Sequence, residues 1–294
     1  MGNIDFSQEK VSVVVATIGE PTLLDTIISL NSSTLIPAEI LVCTPLKDLI
    51  KFDEALFHNV QIIECVHWGQ VLQRIEGFKC AKYKYVLQID SDINVHASCL
   101  QNLVLAMNQL PKKSCVSPFP EKIHRANRGS NFISKIFDKS LACKWSTNSV
   151  GQIKRTCRIS SPYIKRSENL FQTEWVNGIV MHRKENLILD CYYPYKGKAY
   201  YEDVIHSIFL RRGGVSLWVC QNAGIMHLGD SLSEYSTLRE CSEYFIKILS
   251  IRRYIFKIHG GSSLLIFLIW MFEFFYALGK TLFFSNYLRL IKKG

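Results

Sequence analysis

Over the first 110 residues of this 294-residue chain, short apolar runs alternate with stretches of helical periodicity. The run VSVVVAT (11–17) is continuous and β-branched, as in a strand covered on both faces. Behind Pro21, the residues Leu23, Leu24, Ile27, Ile28 and Leu30 recur at helical spacing, so 21–32 predicts a helix. EILVC (39–43) and VQIIEC (60–65) predict two further strands, and 70–80 a second helix. YKYVLQIDSDIN (83–94) then reads as a buried strand stopped by two aspartates, Asp90 and Asp92. A third helix is predicted over 97–110, with Leu100, Leu103, Val104 and Met107 on its apolar stripe. This rhythm predicts an α/β, Rossmann-like domain around a mostly parallel sheet. Neither GxGxxG nor a Walker-type loop occurs, which excludes a dinucleotide fingerprint and a P-loop.

Asp90 and Asp92 stand where a parallel strand ends, and ligands of open α/β sheets bind beyond those ends. Two carboxylates one residue apart can share a hard divalent cation that also grips a diphosphate. A solvated turn uses the same residue types, so the pair alone leaves both readings open.

Charge sharpens the picture. The net +10 is concentrated in 112–166, where thirteen Lys and Arg face only Glu121 and Asp138, or +11, so the remainder sums to −1. Such a segment attracts phosphates, and its weak periodicity reads as a loop over the site. Arg125, Arg128, Arg155 and Arg158 are candidates for a diphosphate. The ten cysteines form no CxxC pair or zinc spacing, which points to a reducing compartment without structural metal. The polar start MGNIDFSQEK is not a secretory signal, and Phe6 spoils a myristoylation motif.

VVVATIGEP, PAEILVC and GQVLQRIEGFKCAKYKYVLQIDSD, in that order, resemble the nucleotide-sugar half of family 2 glycosyltransferases with the GT-A fold. Downstream, FQTEWVNGIVMHRKEN (171–186) resembles that family's acceptor-side strand, with Gly178 at its tight point. Tyr201-Glu202-Asp203 resembles its acidic pair at a helix start, and AGIMHLGD, with His227, its strand-end metal histidine. The resemblance implies donor contacts from Thr17, Glu20, Arg74, Asp90 and Ser91, and acceptor contacts from Trp175 and Gly178. It implies Mn or Mg held by Asp90, Asp92 and His227, and Asp203 as base with Glu202 beside it. Without it, His227 and Trp175 read as core residues, Glu202-Asp203 as a first-turn pair favoured by the helix dipole, and Arg74 equally as a surface ion pair. Where many relatives carry a base-reading aspartate, this chain has Cys43-Thr44, which leaves the nucleotide open.

The last sixty residues change character. Lys247, Arg252, Arg253 and Lys257 lie among Phe245, Ile248, Leu249, Ile251, Ile255 and Phe256, and 264–284 is almost wholly apolar. A span takes about 20 residues, but Glu273 at the centre is costly there. The expectation is therefore a membrane-associating helical segment, 241–294, behind a catalytic domain, 1–240, whose donor half is about 10–110 and acceptor half about 111–240. That segment would lie on the cytoplasmic face of the inner membrane, anchored by Trp, Phe and flanking cations. A single transmembrane span is the second reading. The enzyme so read transfers sugar from a nucleotide-sugar to a lipid-linked or free glycan in surface polysaccharide assembly. A nucleotidyltransferase and a catalytically inactive sugar-binding scaffold are the rivals, and no nucleic-acid module is recognisable.

Overall fold

The structure is a computed structural model and describes residues 9–50, 52, 56–121, 151–229 and 237–291, with 280–291 as backbone. The elements are β1 (Val11–Ala16), α1 (Leu23–Asn31), β2 (Glu39–Thr44), β3 (Val60–Glu64), α2 (Gln70–Cys80), β4 (Tyr85–Asp90), β5 (Ile93–Val95) and α3 (Cys99–Gln109). They continue with β6 (Ser114–Pro120), β7 (Leu170–Thr173), β8 (Val180–Arg183), α4 (Glu202–Arg212), β9 (Ser216–His227), α5 (Leu238–His259) and α6 (Ser263–Ile291).

Two compact units result. One holds the described residues up to 121, then 151–152 and Ser161–Gly229; the other holds Ile153–Ser160 and the described residues from 237 onward. In the first, a nine-stranded sheet runs β3-β2-β1-β4-β8-β6-β9-β5, with β7 paired to β9. β1 pairs in parallel with β2 and β4, and β2 with β3, so the first ninety residues fold as their periodicity predicts. Every residue of β1 and β2 is buried, which is why both read as unbroken apolar runs.

Beyond α3 the expectation of a mostly parallel sheet fails. Among the described residues four strand pairings are parallel and four antiparallel, so the sheet is mixed. A parallel neighbour needs a crossover connection, and the regular helix-after-strand rhythm stops at α3. The stretch 171–186, expected as one strand, divides into β7, which pairs with β9, and β8, which lies between β4 and β6.

The predicted loop at 112–166 also needs correction. Its start is β6, seven buried residues in the middle of the sheet despite Pro118 and Pro120. Proline cannot donate to a ladder, and the β6–β9 register shifts between Pro118 and Phe119, an irregularity of the sort that admits it. The candidates Arg125 and Arg128 lie outside the described residues.

In the second unit α5 and α6 form an antiparallel hairpin. Cys241 and Phe245 pack with Ala277, and Trp270 and Phe274 lie against this cluster. The turn is held by Ile153–Ser160: Ser262 N–H donates to the Arg155 carbonyl at 2.9 Å. Gly261, at φ +143°, lies so close to that carbonyl that any Cβ would collide with it. Arg158, proposed from sequence for a diphosphate, instead pairs with Glu273 at 3.3 Å. Among the described residues no helix is long and apolar enough to cross a membrane.

Candidate active site

α2 carries an unusual residue on its buried stripe. Val71, Ile75 and Phe78 share that stripe with Arg74, which is only 1% exposed rather than part of a surface pair. Its guanidinium spans two carboxylates: Nη2 donates to Asp90 Oδ1 at 2.5 Å and Nη1 to Glu202 Oε1 at 2.8 Å. Burial alone would lower the arginine pKa, but Glu202 and Asp90 hold it above its ordinary value. Asp90 is the last residue of β4 and Glu202 the first of α4, so one cation ties the end of β4 to the acidic pair. Gln70 Nε2 also donates to Asp90 Oδ1, at 2.6 Å, and Tyr192 OH lies 3.4 Å from Glu202 Oε2.

Gly178 backs onto this cluster. A Cβ there would stand 3.0 Å from Arg74 Nη2 and 3.2 Å from Glu202 Oε1, which is why the chain has no side chain at that point. The Gly178 carbonyl accepts from Gln88 Nε2 at 2.8 Å, and the neighbouring Asn177 N–H donates to Tyr163 OH at 2.8 Å.

Asp203 follows Glu202 at the start of α4. Burial and then the Glu202 charge push its carboxyl up to about 7, against the opposing pull of the Val204 N–H and of Arg74. Its Oδ1 accepts that N–H at 2.8 Å. The pair is set by Tyr201, a non-glycine residue in the left-handed region at φ 57°, a strain costing about 1–3 kcal/mol of the type concentrated at functional sites.

Thr17, Glu20 and Ser91 come together as one knot. Glu20 Oε2 accepts from Thr17 Oγ1, from Ser91 Oγ at 2.9 Å and from the Ile18 N–H at 3.2 Å. Burial raises the Glu20 carboxyl, and these hydrogen bonds outweigh it and hold the group below its ordinary value. Glu20 is thus an anion facing Asp92, whose own carboxyl is raised by burial and then by the charge of Asp90.

His227 ends β9. It pairs in register with Ile93, the residue after Asp92, and Leu228 N–H donates to the Asp92 carbonyl at 2.8 Å. The imidazole exerts an opposing, charge-stabilising pull on Asp92. Trp175 is placed differently: it is 7% exposed, with its ring edge-on to Tyr163 at 6.5 Å.

Among the described residues no group of three or more His, Cys, Asp or Glu side chains is arranged to hold a metal ion. Asp90 accounts for part of this, because its Oδ1 is engaged by Arg74 and Gln70. Asp92 and His227 remain as a carboxylate and an imidazole brought together by the β5–β9 pairing. Two protein donors fit a divalent ion that completes its shell with substrate phosphates and water, as Mg and Mn commonly do.

Gln70 and Tyr192 had not been singled out from sequence. Nor had His182 and His206, buried rings 5.4 Å apart beside Tyr192, which stacks on His206 at 5.0 Å. One signal was available for His206: it falls one helical turn after Glu202 on the buried side of α4.

The comparisons with known proteins bear on this geometry. Residues 12–155 match the family described as Glycosyl transferase family 2. That stretch contains Arg74 and the Asp90-Ser91-Asp92 run. A search of the curated proteins found no match. Among solved structures, the chain is similar to a crystal structure of GalNAc-T7 with UDP, GalNAc and Mn2+, at a TM-score of 0.56 and 14% identity. The likeness covers 84% of this chain and 50% of the other, so this chain spans half the length of that protein. At such identity the likeness shows the fold: an α/β, GT-A-like architecture with a mixed sheet.

Proposed function

We propose that this chain is a metal-dependent, inverting glycosyltransferase that moves a sugar from a nucleotide-sugar donor to a glycan acceptor. One observation carries the proposal. Buried Arg74 pairs with both Asp90 and Glu202, so one cation ties the strand end that carries Asp90 and Asp92 to the helix start that carries Asp203, whose carboxyl is pushed up to about 7.

Asp92 and His227 would hold a divalent ion, with Asp90 and Glu20 adding negative potential around it. Bound there, the ion supplies Lewis-acid stabilisation of the departing diphosphate. An imidazole ligand favours Mn over Mg, and the GalNAc-T7 structure, of similar fold, was solved with Mn2+. Asp203 would take the proton from the acceptor hydroxyl as that oxygen bonds to the anomeric carbon and the nucleoside diphosphate leaves. In-line attack helped by a single base inverts the anomeric centre. Glu202, held by Arg74, positions Asp203 and raises its proton affinity.

The proposed setting is surface polysaccharide assembly, O-antigen or capsule, on a lipid-linked acceptor at the cytoplasmic face of the plasma membrane. The +11 segment and the basic, apolar C-terminal helices support it. The test is nucleotide release from a panel of UDP-, GDP- and dTDP-sugars with Mn, with Mg and with EDTA. Metal-dependent release from one donor, stimulated by a lipid-linked glycan, is the expected outcome. Turnover that persists in EDTA would remove the metal from the scheme.

A further inference from the structure

The hairpin of α5 and α6 has two unlike faces on α6. Ile266, Ile269 and Ala277 are at most 4% exposed, and Glu273 lies on the same side. Glu273 had counted against a membrane role, yet its Oε2 accepts from Arg252 Nη1 at 2.7 Å and its Oε1 lies 3.3 Å from Arg158 Nε. The charge is therefore compensated inside the unit. Trp270 is also turned inward: its indole N–H donates to the Phe245 carbonyl at 2.6 Å and its ring stacks on Phe274 at 5.5 Å. The anchoring role expected for it from sequence does not fit that placement.

The other face is apolar and open. Leu264, Phe267, Leu268 and Phe275 recur at helical spacing along one stripe and are 65%, 42%, 46% and 59% exposed. Charge is unequally distributed along the hairpin. Glu240, Glu243 and Arg239, which pairs with Glu243 at 2.8 Å, lie at the open end of α5, whereas Arg253 and Lys257, both exposed, lie near the Gly260-Gly261 turn, where the Leu264–Leu268 part of the stripe begins. Apolar surface and positive charge thus coincide at one end.

The geometry points to this face as a one-leaflet docking surface for an anionic lipid bilayer: the α6 stripe enters the headgroup boundary while Arg253 and Lys257 meet lipid phosphates. This deepens the membrane setting proposed above and rests on that setting, not on the chemistry of transfer. An amphipathic element with cations beside a compact apolar stripe binds in the interface plane and strengthens with anionic lipid.

Purified full-length protein, without nucleotide, is sedimented with phosphatidylcholine vesicles and with vesicles containing 30% phosphatidylglycerol. Binding at least tenfold stronger to the anionic vesicles is expected, about fivefold of it lost for each of Arg253→Gln and Lys257→Gln. Leu264→Glu with Leu268→Glu should abolish it and leave the thermal unfolding of the sheet unit unchanged. Hydrogen exchange on the unsubstituted chain keeps the test independent of how those variants fold: amides of 263–279 should slow on anionic vesicles. Absent binding, binding indifferent to lipid charge, or no slowing there would overturn the proposal. So would a concentration-dependent dimer that Leu264→Glu disrupts while vesicle binding persists. Because no donor or metal enters the assay, failure here leaves the transferase reading standing, and success does not establish it.

Discussion

In the sheet unit one guanidinium, Arg74, is shared by two carboxylates, Asp90 and Glu202; in the helical unit one carboxylate, Glu273, is shared by two guanidiniums, Arg158 and Arg252. Both triads place long polar side chains among apolar neighbours, and Arg74 and Arg252 are 1% and 4% exposed. The difference lies in what surrounds them. Asp203 beside Glu202 and Asp92 close to Asp90 add further carboxyl groups, so that triad sits in surplus negative charge and both of those carboxyls are pushed up. Around Glu273 the surplus is a single positive charge. A buried ion triad by itself is weak evidence of function, since desolvation offsets most of its attraction. The one crowded by further carboxyls, with a strained residue at its edge and a base raised to about 7, is where chemistry is expected.

Breaking the first triad should have the largest effect. Arg74→Met leaves Asp90 and Glu202 without their cation and should cost about 3–5 kcal/mol of stability, read as a fall in the melting temperature of the sheet unit. Transfer activity should vanish with it.

Asp203→Asn, beside the same triad, separates function from stability. Turnover should fall by about 10²–10⁴, the range for loss of a positioned base. The wild-type kcat/KM should rise with pH through about 7 as the Asp203 carboxyl loses its proton. Stability moves oppositely. A carboxyl whose pKa is raised on folding favours the native state fully below its unfolded value near 4 and loses that contribution as pH rises through about 7. The asparagine variant should therefore melt higher than wild type at pH 8, by about 2–4 °C per kcal/mol regained. A variant that is inactive and also less stable at pH 8 would mark Asp203 as structural.

Glu273→Gln tests the second triad. It leaves Arg252 buried beside Arg158, but Glu273 is about a quarter exposed, so the loss should be about 1–3 kcal/mol. Donor turnover in detergent should stay within about twofold of wild type, whereas any Arg74 variant loses it.

These two triads were legible from the sequence to different degrees. Asp90 and Asp92 stood out because they sit where a strand ends, a position that periodicity locates, whereas Glu202, Asp203 and His227 stood out only through the family resemblance. Arg74 was singled out through the resemblance, with a surface ion pair as the equal reading, because its second partner, Glu202, lies 128 residues away and no local pattern encodes that meeting. Arg158–Glu273 is a contact over 115 positions of the same sort, which is why one residue read as a phosphate ligand and the other as an obstacle to the membrane. The parallel half of the sheet was readable because strands covered on both faces must be continuously apolar. β6 was not, because its two prolines signal a loop and the bulge that accommodates them depends on β9, about a hundred residues further on. Gln70 and Tyr192 act through single contacts on Asp90 and Glu202, and their residue types carry no signal of it.

The most direct test of the central claim is calorimetric titration of UDP, GDP and dTDP into wild type and Asp92→Ala, each with Mn and with EDTA. The account predicts that one nucleotide binds wild type with Mn, that EDTA weakens it at least tenfold, and that Asp92→Ala shows the weak value in both conditions. Equal affinity with and without metal, or a metal response that survives in Asp92→Ala, would contradict it.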